Sequence, residues 1–201
     1  MLSRSRLLKQ CAAQIQMLKV VVVKTAPHPK VQFRPFSSNA TQKANPYVIS
    51  LVIHGEGNGV HQKHVTAGPT ADDKVHTIYT DGLKGMGGAD QAACPAFHAL
   101  ASLTSCAQVT ASLVAKDLGI RLGAWKFDVN GDLDVRVLVS GAEGNANFDR
   151  VVVRARVETD ASVEQFTRFV AETERRCPIT QLFKRSGLVL DSKWEALPLA
   201  K

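Results

Sequence analysis

The sequence predicts an α+β fold in which antiparallel strands surround one central, buried helix. The first observation behind this prediction is a helical pattern that begins at Pro95, a residue suited to the first helical position, and ends before Gly119. Most other positions of that helix are Ala or Ser, so it is small or apolar all round and predicted to be buried on most sides. The second observation is Phe148–Thr159, a long strand in which apolar residues alternate with residues that include two arginines.

The remaining elements follow from local signals. Tyr47–Ile53 and Val75–Asp81 are predicted strands, separated by a loop or poorly regular hairpin at 54–73. Asn130-Gly131 predicts a hairpin turn, which would join two further strands at Trp125–Val129 and Val135–Val139. After Phe148–Thr159 the pattern predicts an amphipathic helix over Ser162–Arg176, a break at Cys177-Pro178, a short helix over Pro178–Lys184 and a last strand at Leu188–Trp194.

Composition limits the class of protein. The 201 residues fit one domain plus an extension, and 45% hydrophobic with 21% charged residues argues against a disordered or fibrous chain. The longest aliphatic run, Val20–Val23, is far shorter than the ~20 apolar residues of a membrane span, so no such span is predicted. Seven basic residues and no acid precede Phe36, which accounts for the whole net charge of +7. The rest of the chain is neutral, which gives no support to nucleic-acid binding.

The N-terminal segment has the composition of a mitochondrial transit peptide, rich in Arg, Lys, Ser and Ala and free of acids. The run Arg34-Pro35-Phe36 is similar to a matrix-protease site and predicts cleavage after Phe36. We therefore expect a transit peptide at 1–36, a linker at 37–46, a domain at 47–201 and a location in the mitochondrial matrix. A disordered basic tail, an early strand at Val20–Val23 and a plastid address are the alternatives.

Three cysteines remain after such cleavage, and they occur in neither a CxxC motif nor a zinc-ligand spacing. Cys177 stands at a helix start after Arg175-Arg176, where the helix N-terminus and the guanidinium groups should lower the pKa of its thiol. Cys106, in the middle of the central helix, has two interpretations when taken alone: a small buried core residue or a reactive thiol. Cys94, beside the helix start, is interpreted as structural.

Two motifs together resemble the OsmC/Ohr family, the osmotically inducible and organic-hydroperoxide-resistance proteins. One is the run from Gly87-Gly88 through Cys94-Pro95 to Ser105-Cys106, and the other is Glu174-Arg-Arg-Cys177-Pro178-Ile179. The resemblance implies an intertwined dimeric fold with antiparallel sheets wrapped around two central helices. It also implies a thiol-dependent peroxidase in peroxide defence, with Cys106 as the peroxidatic and Cys177 as the resolving cysteine. Such an enzyme needs no metal or organic cofactor, and an external dithiol such as dihydrolipoamide, or a lipoylated protein, would reduce it.

The sequence departs from the family pattern at the residues that activate the peroxidatic thiol. Relatives usually place a Glu after the motif proline and an Arg from the N-terminal half over this thiol, whereas this chain has Ala96 and no arginine from Ser37 to Ile120. We therefore expect the pKa of Cys106 to lie near or above the ordinary thiol value. The available substitutes for the missing cation are Lys63, His61, His64, His76, His98, Arg175 and Arg176.

These histidines have a plainer interpretation. His98 is expected to be hydrogen-bonded in the core, and the group His54, His61 and His64 is expected to lie in a solvated loop without a metal. A second function therefore stays open beside the peroxidase: a non-catalytic, dimeric OsmC-like protein that binds an apolar or thiol ligand.

Overall fold

The computed structural model describes residues 47–49, 51–67 and 74–200. The predicted transit peptide at 1–36, its cleavage after Phe36 and the linker at 37–46 lie outside these described residues and stay predictions. The elements that follow all belong to one compact unit, Ile49–Lys201.

The first sheet has three antiparallel strands in the order β1-β2-β3, formed by Val52–Asn58, His61–Ala67 and Thr77–Thr80. β1 and β2 form a regular hairpin whose turn contains Gly59, with a φ of 61° that glycine adopts without strain. The predicted first strand was therefore placed too early. Of the two interpretations of 54–73, the hairpin is confirmed over 54–67, where it is more regular than expected. The glycines and histidines of this segment weakened the sequence signal for a strand. In the structure, most of them are paired in register between β1 and β2.

A tight loop leads from β3 to the central helix, and the buried side chain of Asp81 holds it together. The carboxylate accepts hydrogen bonds from the backbone N–H groups of Gln91, Gly82 and Ala89 at 3.0, 2.8 and 3.1 Å. These bonds, with the one from Gln91 the strongest, keep the pKa of Asp81 below its usual value. One carboxylate thus satisfies three backbone donors of a glycine-rich segment.

The central helix α1 is formed by Pro95–Leu118, and Gly119 follows it with a φ of 67°, so both predicted ends are confirmed. Leu103, Ala111 and Val114 on one face of α1 are almost fully buried. The opposite face carries Val109 and Leu113, whose exposed fractions are 64% and 55%. The prediction that α1 is buried on most sides is therefore wrong for the single chain, which covers one face only.

The second sheet has the order β4-β5-β6, formed by Leu122–Leu133, Phe148–Thr159 and Val189–Pro198. β4 and β5 are antiparallel, and the bounds predicted for β5 are confirmed. β5 and β6 run parallel, with Arg150 opposite Val189 and Thr159 opposite Pro198. This parallel pair corrects the expectation of purely antiparallel sheets.

The prediction of a hairpin at Asn130-Gly131 is wrong, because β4 continues through both residues in register with β5. Gly131 is required there by close packing, since a Cβ at this position would lie 2.8 Å from the ring of Phe148. The strand predicted at Val135–Val139 is instead a short helix, α2, formed by Val135–Ser140. Asp134 begins this helix by accepting a hydrogen bond from the backbone N–H of Arg136 at 3.0 Å.

Two helices lie between β5 and β6: α3 at Val163–Arg176 and α4 at Pro178–Arg185. Both predicted helices are confirmed, and Ser162 caps α3 through a reciprocal pair of hydrogen bonds with Gln165. Both helices pack against α1, which also contacts β4. Phe169 of α3 is fully buried in the main core, together with Val114 and Val157.

By length and composition α1 could cross a membrane, since an 18-residue window of it has a mean hydropathy of 1.2. It is the one such helix in the described part of the chain. The core helix of a globular protein meets the same criterion, and α1 has the contacts of a core helix against α3, α4 and β4.

Candidate active site

The two motif cysteines, 106 and 177, come from separate helices and meet at the start of α4. Cys177 ends α3, where its backbone N–H donates to the carbonyl oxygen of Thr173 at 2.9 Å. The same residue caps α4, because its sulfur accepts a hydrogen bond from the backbone N–H of Thr180 at 3.4 Å. Cys106, on α1, lies close enough to Cys177 for each thiol to influence the pKa of the other. Cys177 is fully buried, whereas Cys106 is partly exposed.

Further donors surround the two sulfurs. The backbone N–H of Ile179 acts to lower the pKa of Cys106, and that of Thr180 donates to the sulfur of Cys177, so consecutive amides in the first turn of α4 act on the two thiols. The hydroxyl of Thr110, one turn after Cys106 on α1, acts to lower the pKa of both thiols, and the hydroxyl of Thr180 acts to lower that of Cys177. Both hydroxyls are buried, with exposed fractions of 7% and 5% for the two threonines. The site is therefore a small polar cluster in an otherwise apolar interior.

The two thiols differ in acidity. Burial raises the pKa of Cys106, and the neighbouring Cys177 raises it further. Burial also acts against the thiolate of Cys177, but the hydroxyl and backbone N–H of Thr180, together with the nearby Cys106 and Thr110, outweigh it and the pKa of this thiol is lowered. The expected direction for Cys106 is confirmed. The lowering expected for Cys177 is also found, but its largest favourable causes are the bonds from Thr180 rather than arginines.

None of the proposed cationic substitutes is among the main influences on the two thiols. Arg175 pairs with Glu172 at 2.7 Å, and Arg176 pairs with Asp117 at 2.6 Å. Lys63 lies exposed on β2, in register with Glu56 of β1. Negative charge at the site is therefore stabilised by amide and hydroxyl donors in place of a side-chain cation.

The remaining cysteine and the histidines lie elsewhere. Cys94 is the residue that precedes α1, and its thiol is free. His98 hydrogen-bonds through its Nε2 atom to the backbone carbonyl oxygen of Tyr79 at 3.2 Å, as expected, but it is half-buried and does not lie in the core as predicted. His54, His61 and His64 lie on strands β1 and β2 rather than in a loop. Within residues 51–67 and 74–200, no three His, Cys, Asp or Glu side chains are grouped so that they could hold a metal ion.

Two pockets flank α1, and Thr104 forms part of the wall of both. The smaller, of about 10 Å³, has room for a single water and lies between α1, the start of α4 and the second sheet, with Thr180 in its wall. The wider pocket, of about 290 Å³, lies between α1 and β4 and is lined mainly by apolar side chains, among them Phe97, Leu100 and Phe127. Apolar space of this kind suits an alkyl or acyl group.

The structure also shows what the sequence analysis missed. The sequence analysis gave no role to Thr110 or to Thr180. The spacing of these threonines from the two cysteines could have identified them. Thr110 is four positions after Cys106 and therefore shares its helix face. A residue three positions after an N-cap likewise offers its backbone N–H to the cap side chain. Asp81, which holds the glycine-rich loop, was counted only as the end of a strand.

An α+β fold that brings two free thiols together beside a helix N-terminus defines a candidate thiol-redox protein. The sequence model of the OsmC-like protein family matches residues 88–193, just over half of the chain. The chain therefore belongs to the OsmC family. No curated protein sequence gives a significant match.

Solved structures support the same fold. An OsmC-like protein from Mycoplasma pneumoniae is similar with a TM-score of 0.57 and 14% identity, over 76% of this chain and 99% of that one. An organic hydroperoxide resistance protein OsmC from Legionella pneumophila gives 0.52 and 18%, over 73% and 96%. An organic hydroperoxide resistance protein from Elizabethkingia anophelis gives 0.51 and 18%, over 77% and 100%. At these identities the likeness shows the fold, and function has to be argued from the site.

Proposed function

We propose that this protein is a thiol-dependent organic hydroperoxide reductase that acts in peroxide defence. The proximity of the thiols of Cys106 and Cys177 carries the proposal, because a two-cysteine peroxidase needs a nucleophile and a resolving thiol that can reach each other. Cys106 is the partly exposed member and acts as the peroxidatic residue. Cys177 is buried behind it and acts as the resolving residue. Two relatives of the same fold are named for organic hydroperoxide resistance, which supports the proposed substrate class.

The chemistry balances with an external dithiol. The thiolate of Cys106 attacks the terminal oxygen of the hydroperoxide, the O–O bond breaks, and a sulfenic acid and an alkoxide form. The alkoxide takes a proton from solvent and leaves as the alcohol. The sulfur of Cys177 then attacks the sulfenic sulfur, so that a disulfide forms and water leaves. A dithiol such as dihydrolipoamide, free or on a lipoylated protein, reduces the disulfide and restores both thiols. No metal or organic cofactor takes part in this sequence.

Turnover of cumene hydroperoxide in the presence of dihydrolipoamide tests the proposal. We expect consumption of peroxide in proportion to the protein. After a stoichiometric peroxide pulse without reductant, mass spectrometry should find a bridge between Cys106 and Cys177 with Cys94 still free. One observation favours the second candidate, a binding protein without turnover: burial raises the pKa of Cys106. Absence of both turnover and the bridge would support that candidate.

The exposed face of α1 leads to a related proposal, that the protein is a homodimer. Phe97, Val109 and Leu113 are each more than half exposed on this central helix, with exposed fractions of 58%, 64% and 55%. Large apolar side chains exposed on a central helix are a feature of surfaces that a partner covers. Light scattering on residues 37–201 should give the mass of two chains, and a monomer at micromolar concentration would contradict the proposal.

A further inference from the structure

The chain contains two Asn-Gly pairs, Asn58-Gly59 and Asn130-Gly131, which the fold places in different surroundings. We propose that Asn58 is a site of spontaneous covalent modification, at which the side chain cyclises onto the backbone nitrogen of Gly59 and then opens to aspartate or isoaspartate. The fold protects the second pair from the same reaction. The inference goes beyond the proposed reduction of peroxide, because it involves neither thiol.

The reaction needs no reagent other than water. The backbone nitrogen of Gly59 attacks the side-chain carbonyl carbon of Asn58, a new C–N bond forms, and the amide nitrogen of the side chain leaves as ammonia with the proton of the attacking nitrogen. Water then adds to a carbonyl carbon of the resulting cyclic imide and breaks its bond to nitrogen. Opening at the side-chain carbonyl gives aspartate. Opening at the backbone carbonyl gives isoaspartate, in which the backbone continues through the side chain, and no atom is oxidised or reduced in either case.

The hairpin turn gives Asn58-Gly59 room for this attack. Asn58 is the last residue of β1, and both residues of the pair are exposed. Gly59 has a φ of 61°, and a Cβ built on it would have no neighbour within 4 Å, so the turn has open space around it. Within the described ranges of the chain, no residue hydrogen-bonds to the side-chain amide of Asn58. An exposed turn of this kind opens locally at little cost in free energy.

The pair at Asn130-Gly131 is held by its strand. Both residues continue β4 in register with β5. The side-chain amide of Asn130 donates a hydrogen bond to the carboxylate of Asp132 at 3.1 Å, and Gly131 is packed closely against the ring of Phe148. Attack by the nitrogen of Gly131 therefore requires local opening of β4, which costs free energy that the hairpin turn does not have to spend.

The modification changes the wall of a cavity at the tip of the hairpin. Asn58, His61, Asp81 and Gly88 are among the residues that line this cavity of about 200 Å³, which lies between the first sheet and the glycine-rich loop. Either product replaces a neutral amide with a carboxylate in the same wall as the buried carboxylate of Asp81. Because like charges disfavour each other, the hydrogen bonds that the ionised Asp81 accepts from the loop become weaker. The modification therefore loosens the segment that leads to α1.

Incubation of the full-length protein at neutral pH in water enriched in heavy oxygen, followed by peptide mass spectrometry, tests the proposal. Trypsin cleaves after Lys63 and Lys126, so the two pairs fall in separate peptides. We expect the peptide with Asn58 to become a mixture of aspartate and isoaspartate forms that carry a heavy oxygen atom from solvent. Conversion at Asn58 should exceed that at Asn130 by at least about tenfold, because reaction at Asn130 first requires local opening of β4.

Protein unfolded in urea is the control for the role of the fold, and there the two pairs should convert at similar rates. Asn58→Gln should remove the product at the first pair, because glutamine would have to close a larger and less favourable ring, and it should leave Asn130 unchanged. Equal conversion of the two pairs in the folded protein would overturn the proposal. So would an Asn58 that stays intact in the folded protein while it converts in urea.

Amide hydrogen exchange tests the effect on the glycine-rich loop. In Asn58→Asp, the backbone amides of Gly82, Ala89 and Gln91 should exchange severalfold faster than in the parent protein, because the carboxylate that they donate to is opposed by a second negative charge. The matched control is Asn130→Asp, which adds the same charge on β4, outside this cavity, and should leave the three amides unchanged. Equal exchange in the two variants would refute the effect on the loop.

Discussion

Replacement of Cys106 by Ser is expected to reduce hydroperoxide consumption to the background rate of the buffer, a loss on the order of a thousandfold or more. A serine hydroxyl is not oxidised by peroxide, and the other cysteine of the site is fully buried behind it. The measurement is the initial rate of cumene hydroperoxide loss with dihydrolipoamide as reductant. Cys94→Ser is the matched control and should leave the rate unchanged, because Cys94 lies at the start of α1 outside the thiol cluster.

A substitution at the second cysteine distinguishes the nucleophile from the resolving residue. Cys177→Ser should still allow slow oxidation of Cys106, but the sulfenic acid should persist and react with dimedone, since no second thiol can close the disulfide. Consumption that survives in Cys106→Ser at the normal rate would show that the nucleophile lies elsewhere. A bridge between Cys94 and Cys106 after a peroxide pulse would show that the resolving residue is misassigned.

Replacement of Gly88 by Ala is expected to lower the free energy of unfolding by about 1–3 kcal/mol or more, because overpacking forces the backbone to move. A Cβ at Gly88 would overlap the carbonyl group of Gly82 across the loop. Since this contact is with backbone, no rotamer change can relieve it. The loop is also held by hydrogen bonds from Ala89 and Gln91 to Asp81, which would have to lengthen if the two glycines separated.

Gly85→Ala is the control for that change, since a Cβ there has no neighbour within 4 Å and Gly85 lies in the same loop. Urea denaturation of both variants, followed by tryptophan fluorescence, measures the difference. We expect a lower midpoint for Gly88→Ala and a midpoint within experimental error of the parent protein for Gly85→Ala. Equal midpoints for the two variants would mean that the loop adjusts to a side chain at position 88 without cost.

Much of the second half of the fold could be predicted, because its local signals and its packing agree. The bounds of α1 follow from Pro95 and Gly119, and those of α3 follow from Ser162 and the break at Cys177. At Asn130-Gly131 the local sequence signal and the packing conflict. The pair is typical of a hairpin turn, but pairing with β5 and close packing against Phe148 keep it in a strand. Such tertiary effects are not visible in a local pattern.

The two cysteines of the site could be predicted from the sequence, whereas the arrangement of the residues around them could not. The resemblance of two motifs to the OsmC/Ohr family identified Cys106 and Cys177. The sequence also showed that the usual activating residues are missing. What replaces them could not be derived, because it depends on the rotation of α1 that turns Thr110 toward both sulfurs. It also depends on the packing that brings the start of α4 against α1. A search for a cation led to Arg175 and Arg176, which form ion pairs elsewhere.

The parallel pairing of β5 and β6 has a consequence for how the thiol pair comes into existence. Parallel strands cannot be joined by a tight turn, so the chain must cross over between them, and here α3 and α4 form the crossover. Cys177 lies at the junction of those two helices. The crossover that places β6 beside β5 therefore also brings the second sulfur to the site. Closure over such a long stretch costs chain entropy before its contacts form. We therefore expect the two thiols to associate less readily in an incomplete chain that lacks β6, because the pairing that closes this crossover is missing.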